Sequence, residues 1–233
     1  MDASFDFDGD VVVVTGAGGA LGSAIAEAFS AAGATVCAVD VVERDEASVT
    51  LDAVDYYRAD LTDEADVERL FADVIDDHGR IDALCNIAGT WKGGNPIEET
   101  DVGTFDLLFD VNLKTMFLAS KHALAPLQES GGAIVSVSAR SSLEGGSGDG
   151  PYRASKAGVR LLTETIAEEN RGTVRANAIM PSVIDTPMNR EMMPDADFEQ
   201  WVDPADIAAV VLFLCSDAAG VTSGAAVPVY GEA

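Results

Sequence analysis

The chain has 233 residues, with 40 acidic against 14 basic side chains and a formal net charge of -26 at pH 7. Its length suits one α/β domain with a large core, so we expect a single domain over residues 1–233. A surface this negative repels phosphate backbones and anionic lipids, which argues against nucleic-acid and membrane partners.

The acidic residues are spread along the polar faces of the predicted helices, as in halophilic proteins, where salt screens the repulsion. The first residues are acidic where a secretory signal would be basic and then apolar, and no apolar run is long enough to cross a bilayer. We therefore expect a cytoplasmic protein.

A continuous apolar run at 11–14 ends in a glycine-rich turn at 15–22, followed by an amphipathic stretch at 21–31 and a second apolar run at 35–39. This order predicts a βαβ unit with a buried parallel strand. Further strands are predicted at 56–58, 81–87, 133–138, 174–180 and 226–230, and further helices at 63–77, 101–127, 152–169 and 204–216. The alternation predicts an α/β fold with a doubly wound parallel sheet, and loops at 145–150 and 184–201 above the carboxyl ends of its strands.

The glycine turn leads from a strand into a helix, which brings backbone N–H groups and the positive end of the helix dipole to one point. Such a point suits a pyrophosphate. Asp40 ends the second strand, 24 residues after Gly16, where a carboxylate can accept hydrogen bonds from an adenosine ribose. It would repel a 2′-phosphate, and the turn contains no Arg or Lys to offset that, so we expect NAD to be preferred over NADP. The alternative is a solvated acid at a strand end.

Residues 152–156 read Tyr-Arg-Ala-Ser-Lys. Because helical residues four apart share a face, the Lys156 ammonium can lie beside the Tyr152 phenol and favour its ionised form. Lowering a phenol pKa from about 10 to about 7 requires about 4 kcal/mol. The same pattern also occurs on exposed helices, but the glycine turn upstream favours a catalytic pair.

Together with Asp60-Leu61 after the third strand, Asn86 to Gly89 after the fourth and Asn112 on the long helix, these motifs resemble the short-chain dehydrogenase/reductase family over nearly the whole chain. The resemblance implies a Rossmann-type fold and transfer of hydride between a nicotinamide cofactor and a small carbonyl or alcohol substrate. The implied cofactor contacts are Gly16, Gly19, Ala20 and Leu21 at the pyrophosphate, Asp60 and Leu61 at the adenine, Asn86, Ala88 and Gly89 at the ribose, and Ile184 and Thr186 at the nicotinamide amide. Ala20 replaces the family's middle glycine.

The same resemblance implies that Tyr152 exchanges a proton with the substrate oxygen, that Lys156 lowers the pKa of Tyr152 and binds the nicotinamide ribose, and that Asn112 holds a water in the proton relay. The family's substrate-binding serine precedes the tyrosine by thirteen residues, and that position is Ala139. Ser138 is the catalytic candidate only if the strand end bulges or turns, since adjacent strand residues point to opposite faces. Ser141 and Ser142 are the other candidates.

The missing serine and several loop sequences are similar to dihydropteridine reductase, whose substrate is a quinonoid pterin. If Trp91 stacks over a flat ring, it would favour that alternative. A third hypothesis, a non-catalytic dinucleotide-sensing protein, is disfavoured by the intact Tyr152, Lys156 and Asn112. The histidines and the three cysteines lack partners in the sequence that would indicate a metal site or a disulfide.

The family's members usually pair through their long helices, which here are predicted at 101–127 and 152–169. The resemblance therefore implies a homodimer or homotetramer, with Leu107, Leu108, Val159 and Leu162 available for packing between subunits. The alternative is that these leucines and the valine only face the sheet of their own subunit.

Overall fold

A computed structural model describes residues 5–48 and 54–232. Within these ranges, seven parallel strands form one sheet in the order β3-β2-β1-β4-β5-β6-β7. The strands are β1 Val11–Thr15, β2 Thr35–Asp40, β3 Asp55–Arg58, β4 Ala83–Asn86, β5 Ala133–Val137, β6 Arg175–Pro181 and β7 Ala226–Val229. The α-helices are α1 Ala20–Ala31, α2 Glu64–His78, α3 Val102–Phe109, α4 Thr115–Ser130, α5 Gly150–Glu169, α6 Pro187–Met192 and α7 Pro204–Cys215. The predicted doubly wound parallel sheet is confirmed.

Alternate residues of each central strand pack against helices on opposite faces of the sheet. Val12 and Val14 lie in the core that includes residues of α1 and α7. Val11 and Val13 lie in the core that includes residues of α2, α4 and α5. A strand buried on both faces explains the unbroken valine run of β1.

The chain winds outward from β1 to β3 and then returns to β4, on the other side of β1. The carboxyl ends of β1 and β4 therefore lie side by side where the winding direction reverses, with Val14 opposite Cys85. In open α/β sheets this reversal creates the crevice in which ligands bind. The glycine turn follows β1 and residues 87–90 follow β4, so both loops lie at that crevice.

Several helix ends follow from local sequence signals. Asp63 accepts a hydrogen bond from the Ala65 N–H at the start of α2, and Gly79 ends that helix with φ of 77°. Asp203 caps α7 in the same way, accepting from the Ala205 N–H, with Pro204 in the first turn as predicted. None of the helices in the described ranges combines the length and the apolar character that a bilayer span requires.

Several predicted elements differ from the structure. The long helix predicted at 101–127 is divided into α3 and α4 by a π-helical turn over Asp110–Lys114, a distortion that often marks functional sites. Helix α5 begins at Gly150, since Pro151 fits the first turn of a helix. The predicted loop at 184–201 contains α6, and the predicted strand at 81–87 is shorter at both ends.

Candidate active site

In the glycine turn, Gly16 and Gly22 each lie so close to another backbone segment that a side chain would not fit. Gly16 has φ of +67°, and a Cβ there would lie 2.8 Å from the backbone of Ala88. A Cβ on Gly22 would overlap the carbonyl group of Gly16, which lets α1 start directly against the turn. Gly19 precedes α1 without a side-chain cap, so the N–H groups of the first turn remain for a ligand. This cradle fits a pyrophosphate, and Gly16, Gly19, Ala20 and Leu21 all line the adjoining cleft.

Asp40 lies at the edge of the same cleft and is fixed by main-chain groups. Its Oδ2 accepts a hydrogen bond from the Gly18 N–H at 2.8 Å, and its Oδ1 accepts one from the Val41 N–H at 2.7 Å. The carboxylate is thereby tied to the glycine turn while it borders the cleft. Asp60 and Leu61, the predicted adenine contacts, line the cleft as well.

The loop after β4 is held by Thr15, whose hydroxyl accepts hydrogen bonds from the N–H groups of Ile87 and Ala88 at 3.0 and 3.2 Å. Ala88 and Gly89 line the cleft, and their contact with the ribose stays a prediction. Asn86 differs from its prediction, because it is buried beneath the loop and its Nδ2 donates to Ser120 and Ser136 on neighbouring elements. Its side chain therefore supports the loop from below, and Ile87 takes its place along the cleft.

Asn112 lies in the π-helical turn and is buried. Its Oδ1 accepts from the Thr90 N–H at 2.7 Å, and its Nδ2 donates to the Thr90 carbonyl at 3.0 Å and to Ser155 Oγ at 3.1 Å. Both amide protons are thus donated to protein groups, so the side chain positions the Thr90 loop against α5. The water-holding role assigned to Asn112 by resemblance stays a prediction.

Tyr152 and Lys156 lie one turn apart on α5 and both line the cleft. Lys156 is 5% exposed and its Nζ donates to the Val137 carbonyl at 2.9 Å. Burial lowers the pKa of Lys156 to about 8, because the charged form loses hydration. At neutral pH the ammonium still carries most of its charge.

Lys156 was expected to lower the pKa of Tyr152, but in the structure this pKa is raised. Burial of the phenol raises the pKa of Tyr152 to about 12, and the negative charge of Asp149 acts in the same direction. The physical reason is that desolvation disfavours the phenolate more than the surrounding positive charge favours it. Tyr152 therefore keeps its proton at neutral pH and is set up as a proton donor.

Ser138 does not meet the condition placed on it. Its N–H donates to the Ile179 carbonyl at 2.9 Å, and Ala139 has φ of -158° and ψ of 152°, so the strand end runs straight without a bulge. The Ser138 hydroxyl instead donates to the Lys156 carbonyl at 2.8 Å. Ser138 borders the cleft with its hydroxyl engaged by a protein group, so its predicted contact with the substrate finds no free donor here and stays untested.

Residues of α6 line the far end of the cleft. The Thr186 hydroxyl accepts from the Asn189 N–H at 3.2 Å, and Asn189 Nδ2 donates to the Ile184 carbonyl at 2.8 Å. Ile184 and Thr186 line the cleft, and their contact with the nicotinamide amide stays a prediction. Asn189 was missed, although its spacing of three residues from Thr186 is that of a helix cap. The cleft encloses about 1620 Å³, and its apolar walls include Trp91, Leu107, Val111, Met188, Met192 and Met193.

Comparison with known proteins agrees with this geometry. The family model described as enoyl-(acyl carrier protein) reductase matches residues 16–231. Meso-2,3-butanediol dehydrogenase of Serratia marcescens is 34% identical over 97% of this chain and 95% of that protein. The chain belongs to the short-chain dehydrogenase/reductase family. This short-chain dehydrogenase/reductase is an oxidoreductase that acts on alcohol or carbonyl substrates with a nicotinamide cofactor.

Other relatives carry different substrates in their names. Levodione reductase of Leifsonia aquatica is 35% identical over 97% of this chain and 94% of that protein. The ligand-free structure of aldohexose dehydrogenase from Thermoplasma acidophilum superposes with a TM-score of 0.90 at 28% identity, covering 98% of this chain and 95% of that one. Each of these names describes a dehydrogenase or a reductase, while the named substrates differ.

Proposed function

We propose that the protein is an NAD-dependent oxidoreductase that interconverts a small uncharged ketone and alcohol, with Tyr152 as the proton donor and acceptor. The observation that carries this proposal is the arrangement of one cleft. The glycine turn and Asp40 lie at one end of it, and Tyr152 and Lys156 line it together with the apolar residues of the other end.

When bound, NADH supplies a hydride to the substrate carbon. The protein's own part is to hold the dinucleotide at the N-terminus of α1, to contact a ribose through Asp40, and to move a proton at the Tyr152 hydroxyl. A raised pKa keeps this hydroxyl protonated until negative charge develops on the substrate oxygen. The Lys156 ammonium, charged at neutral pH, then stabilises the phenolate that remains.

The substrate end supports an uncharged ligand. Arg153 borders this end, but its Nε donates to Asp149 Oδ1 at 2.6 Å, so its charge is already paired. Glu144 also borders the cleft, and the protein as a whole is strongly negative. At short range the Glu144 carboxylate would therefore disfavour a substrate that carries a carboxylate or phosphate, whereas it would not disfavour a small diol such as the one that names the Serratia relative.

Reduction of a quinonoid pterin is the second candidate. Ala139 and the engaged Ser138 hydroxyl favour it, and so does Trp91, which lines the cleft and is 46% exposed. A panel of acetoin, cyclohexanone, cyclohexane-1,2-dione and quinonoid dihydropterin, assayed with NADH and NADPH in molar salt, separates the two. Turnover of the pterin alone would replace the ketone proposal.

Asp40 is expected to set the cofactor preference. NADH should bind at least about tenfold more tightly than NADPH, which corresponds to about 1.4 kcal/mol. Asp40→Ala should shrink that preference, because the repulsion of a 2′-phosphate is lost. Isothermal titration with both cofactors measures it, and Asp45→Ala, an exposed acid outside the cleft, controls for net charge. Equal affinities in the unmodified protein would overturn the assignment.

The protein is also expected to form a homodimer or homotetramer in high salt. Leu108 and Val159 were predicted to be available for packing between subunits. This prediction is corrected, because both side chains are buried in the subunit's own core. Exposed apolar side chains on α3, α4 and α5 support an interface instead, including Val102, Phe105, Phe117 and Leu161. Exposed apolar side chains are typical of protein contacts where they form one contiguous patch.

Because each subunit carries a charge of -26, its association should weaken as salt is diluted. Screening acts over about 3 Å at 1 M and about 10 Å at 0.1 M. Light scattering over a salt series measures this, and a monomer in molar salt would contradict it. The acidic surface likewise supports a halophilic, cytoplasmic protein without nucleic-acid or membrane partners.

A further inference from the structure

Three serine hydroxyls surround the position where Ala139 offers only a methyl group. A serine hydroxyl has one proton to donate. Ser138 gives its proton to the Lys156 carbonyl at 2.8 Å. Ser142 is buried with its Oγ 3.1 Å from Ser138 Oγ, so the proton in that contact comes from Ser142. Both hydroxyls are therefore committed to protein acceptors.

Ser141 differs from these two in its surroundings. It is half-buried and lines the cleft. Among residues 5–48 and 54–232, nothing hydrogen-bonds to its hydroxyl. We propose that Ser141 Oγ donates a hydrogen bond to the substrate oxygen, in place of the side chain that Ala139 lacks. This assignment rests on the proposed function and names a further catalytic residue for it.

The main chain of Ser141 is fixed relative to Tyr152. Arg153, the residue after Tyr152 on α5, donates from Nη1 to the Ser141 carbonyl at 3.2 Å and to the Glu144 carbonyl at 3.2 Å. The Ser142 N–H closes the turn by donating to the Ala139 carbonyl at 3.0 Å. The turn that carries Ser141 is thus anchored to the helix that carries the proton donor.

A donor aimed at the oxygen stabilises the negative charge that develops there as hydride arrives. Removing one such donor costs about 10²-fold to 10³-fold in kcat in an enclosed site. Because Ser141 is half-buried, water can partly replace its hydroxyl. We therefore expect Ser141→Ala to lower kcat by about 30-fold.

The test compares Ser141→Ala with Ser147→Ala, an exposed serine of the neighbouring loop that does not line the cleft. Each variant is assayed with NADH and with the carbonyl compound from the substrate panel for which the unmodified protein has the highest kcat/KM. The expected result is a loss of about 30-fold in kcat for Ser141→Ala, an unchanged NADH Kd, and parent-like activity in Ser147→Ala. Adding Ala139→Ser to Ser141→Ala should restore at least about tenfold of the loss, since a hydroxyl again reaches the oxygen.

Parent-like kcat in Ser141→Ala, with or without a loss in Ser138→Ala, would overturn the assignment while leaving the proposed function standing. A failure of the unmodified protein to turn over any panel carbonyl would remove the proposed function, and the role of Ser141 with it. An NADH Kd that changes in Ser141→Ala would point to a distorted cleft and would also count against a substrate-directed donor.

Discussion

Tyr152→Phe is expected to lower kcat by about a thousandfold while the Kd of NADH stays within about twofold. The phenylalanine ring keeps the packing of the half-buried tyrosine, so only the hydroxyl is lost. With a pKa near 12, that hydroxyl is protonated throughout the neutral range and is the acid that a reduction requires. Without it, the alkoxide formed by hydride transfer must take its proton from water.

Steady-state kinetics with the best panel carbonyl, and titration with NADH, measure the two quantities separately. Tyr57→Phe is the matched control, because the Tyr57 hydroxyl donates to Asp77, neither residue lines the cleft, and loss of this hydroxyl should leave kcat unchanged. Undiminished turnover in Tyr152→Phe would show that another group transfers the proton.

Lys156→Met is expected to abolish most activity and yet to stabilise the fold at neutral pH. The lysine pKa is lowered to about 8 in the folded protein, against about 10.4 in the unfolded chain. That difference corresponds to about 3 kcal/mol of destabilisation below pH 8, where the buried ammonium is charged. Loss of the Nζ bond to the Val137 carbonyl offsets about 1 kcal/mol of the gain.

The pKa shifts of Lys156 and Tyr152 determine whether the free energy of unfolding rises or falls with pH. Between pH 8 and about 10 the folded lysine has lost its proton while the unfolded lysine keeps it, so the lysine makes the free energy of unfolding rise with pH. Tyr152 acts oppositely and at higher pH, from about 10 to 12, because its folded pKa is raised. Lys156→Met should therefore remove the rise between pH 8 and 10.

Urea unfolding at pH 7 and at pH 9.5, in molar salt, measures both effects. The expected increase at pH 7 is about 2 kcal/mol, and it should shrink toward pH 9.5. Lys121→Met serves as the control, since Lys121 lies on the surface in an ion pair with Glu64 and its replacement should change little. If Lys156→Met were less stable than the unmodified protein at pH 7, the buried ammonium would not destabilise the fold.

Features carried by neighbouring residues were predictable from the sequence, and features that depend on distant partners were not. Local sequence signals position three of the site's features: the glycine turn at the end of β1, Asp40 at the end of β2, and the pair of Tyr152 and Lys156 one helical turn apart. Asn86 was placed at the cofactor by resemblance, but its partners Ser120 and Ser136 come from elsewhere in the chain. No local pattern reveals such a contact.

The pKa of Tyr152 also depends on residues that are distant in the sequence. The sequence gives the spacing of Lys156 and therefore suggests a lowered pKa, but the sign is decided by burial, which follows from the packing of the whole cleft. Helix α6 was predicted as a loop because it has only six residues. Its cap, Thr186, was visible in the sequence, whereas the position of α6 along the cleft was not.

This protein is expected to pass a hydride from a nicotinamide to a carbonyl carbon. Incubation with NADH deuterated at the transferable position, followed by mass spectrometry of the product alcohol, tests it directly. We expect one deuterium on the carbinol carbon for at least one small uncharged carbonyl compound, and almost none with Tyr152→Phe over the same time. Tight NADH binding without deuterium in any product would contradict it and would favour a dinucleotide-sensing protein.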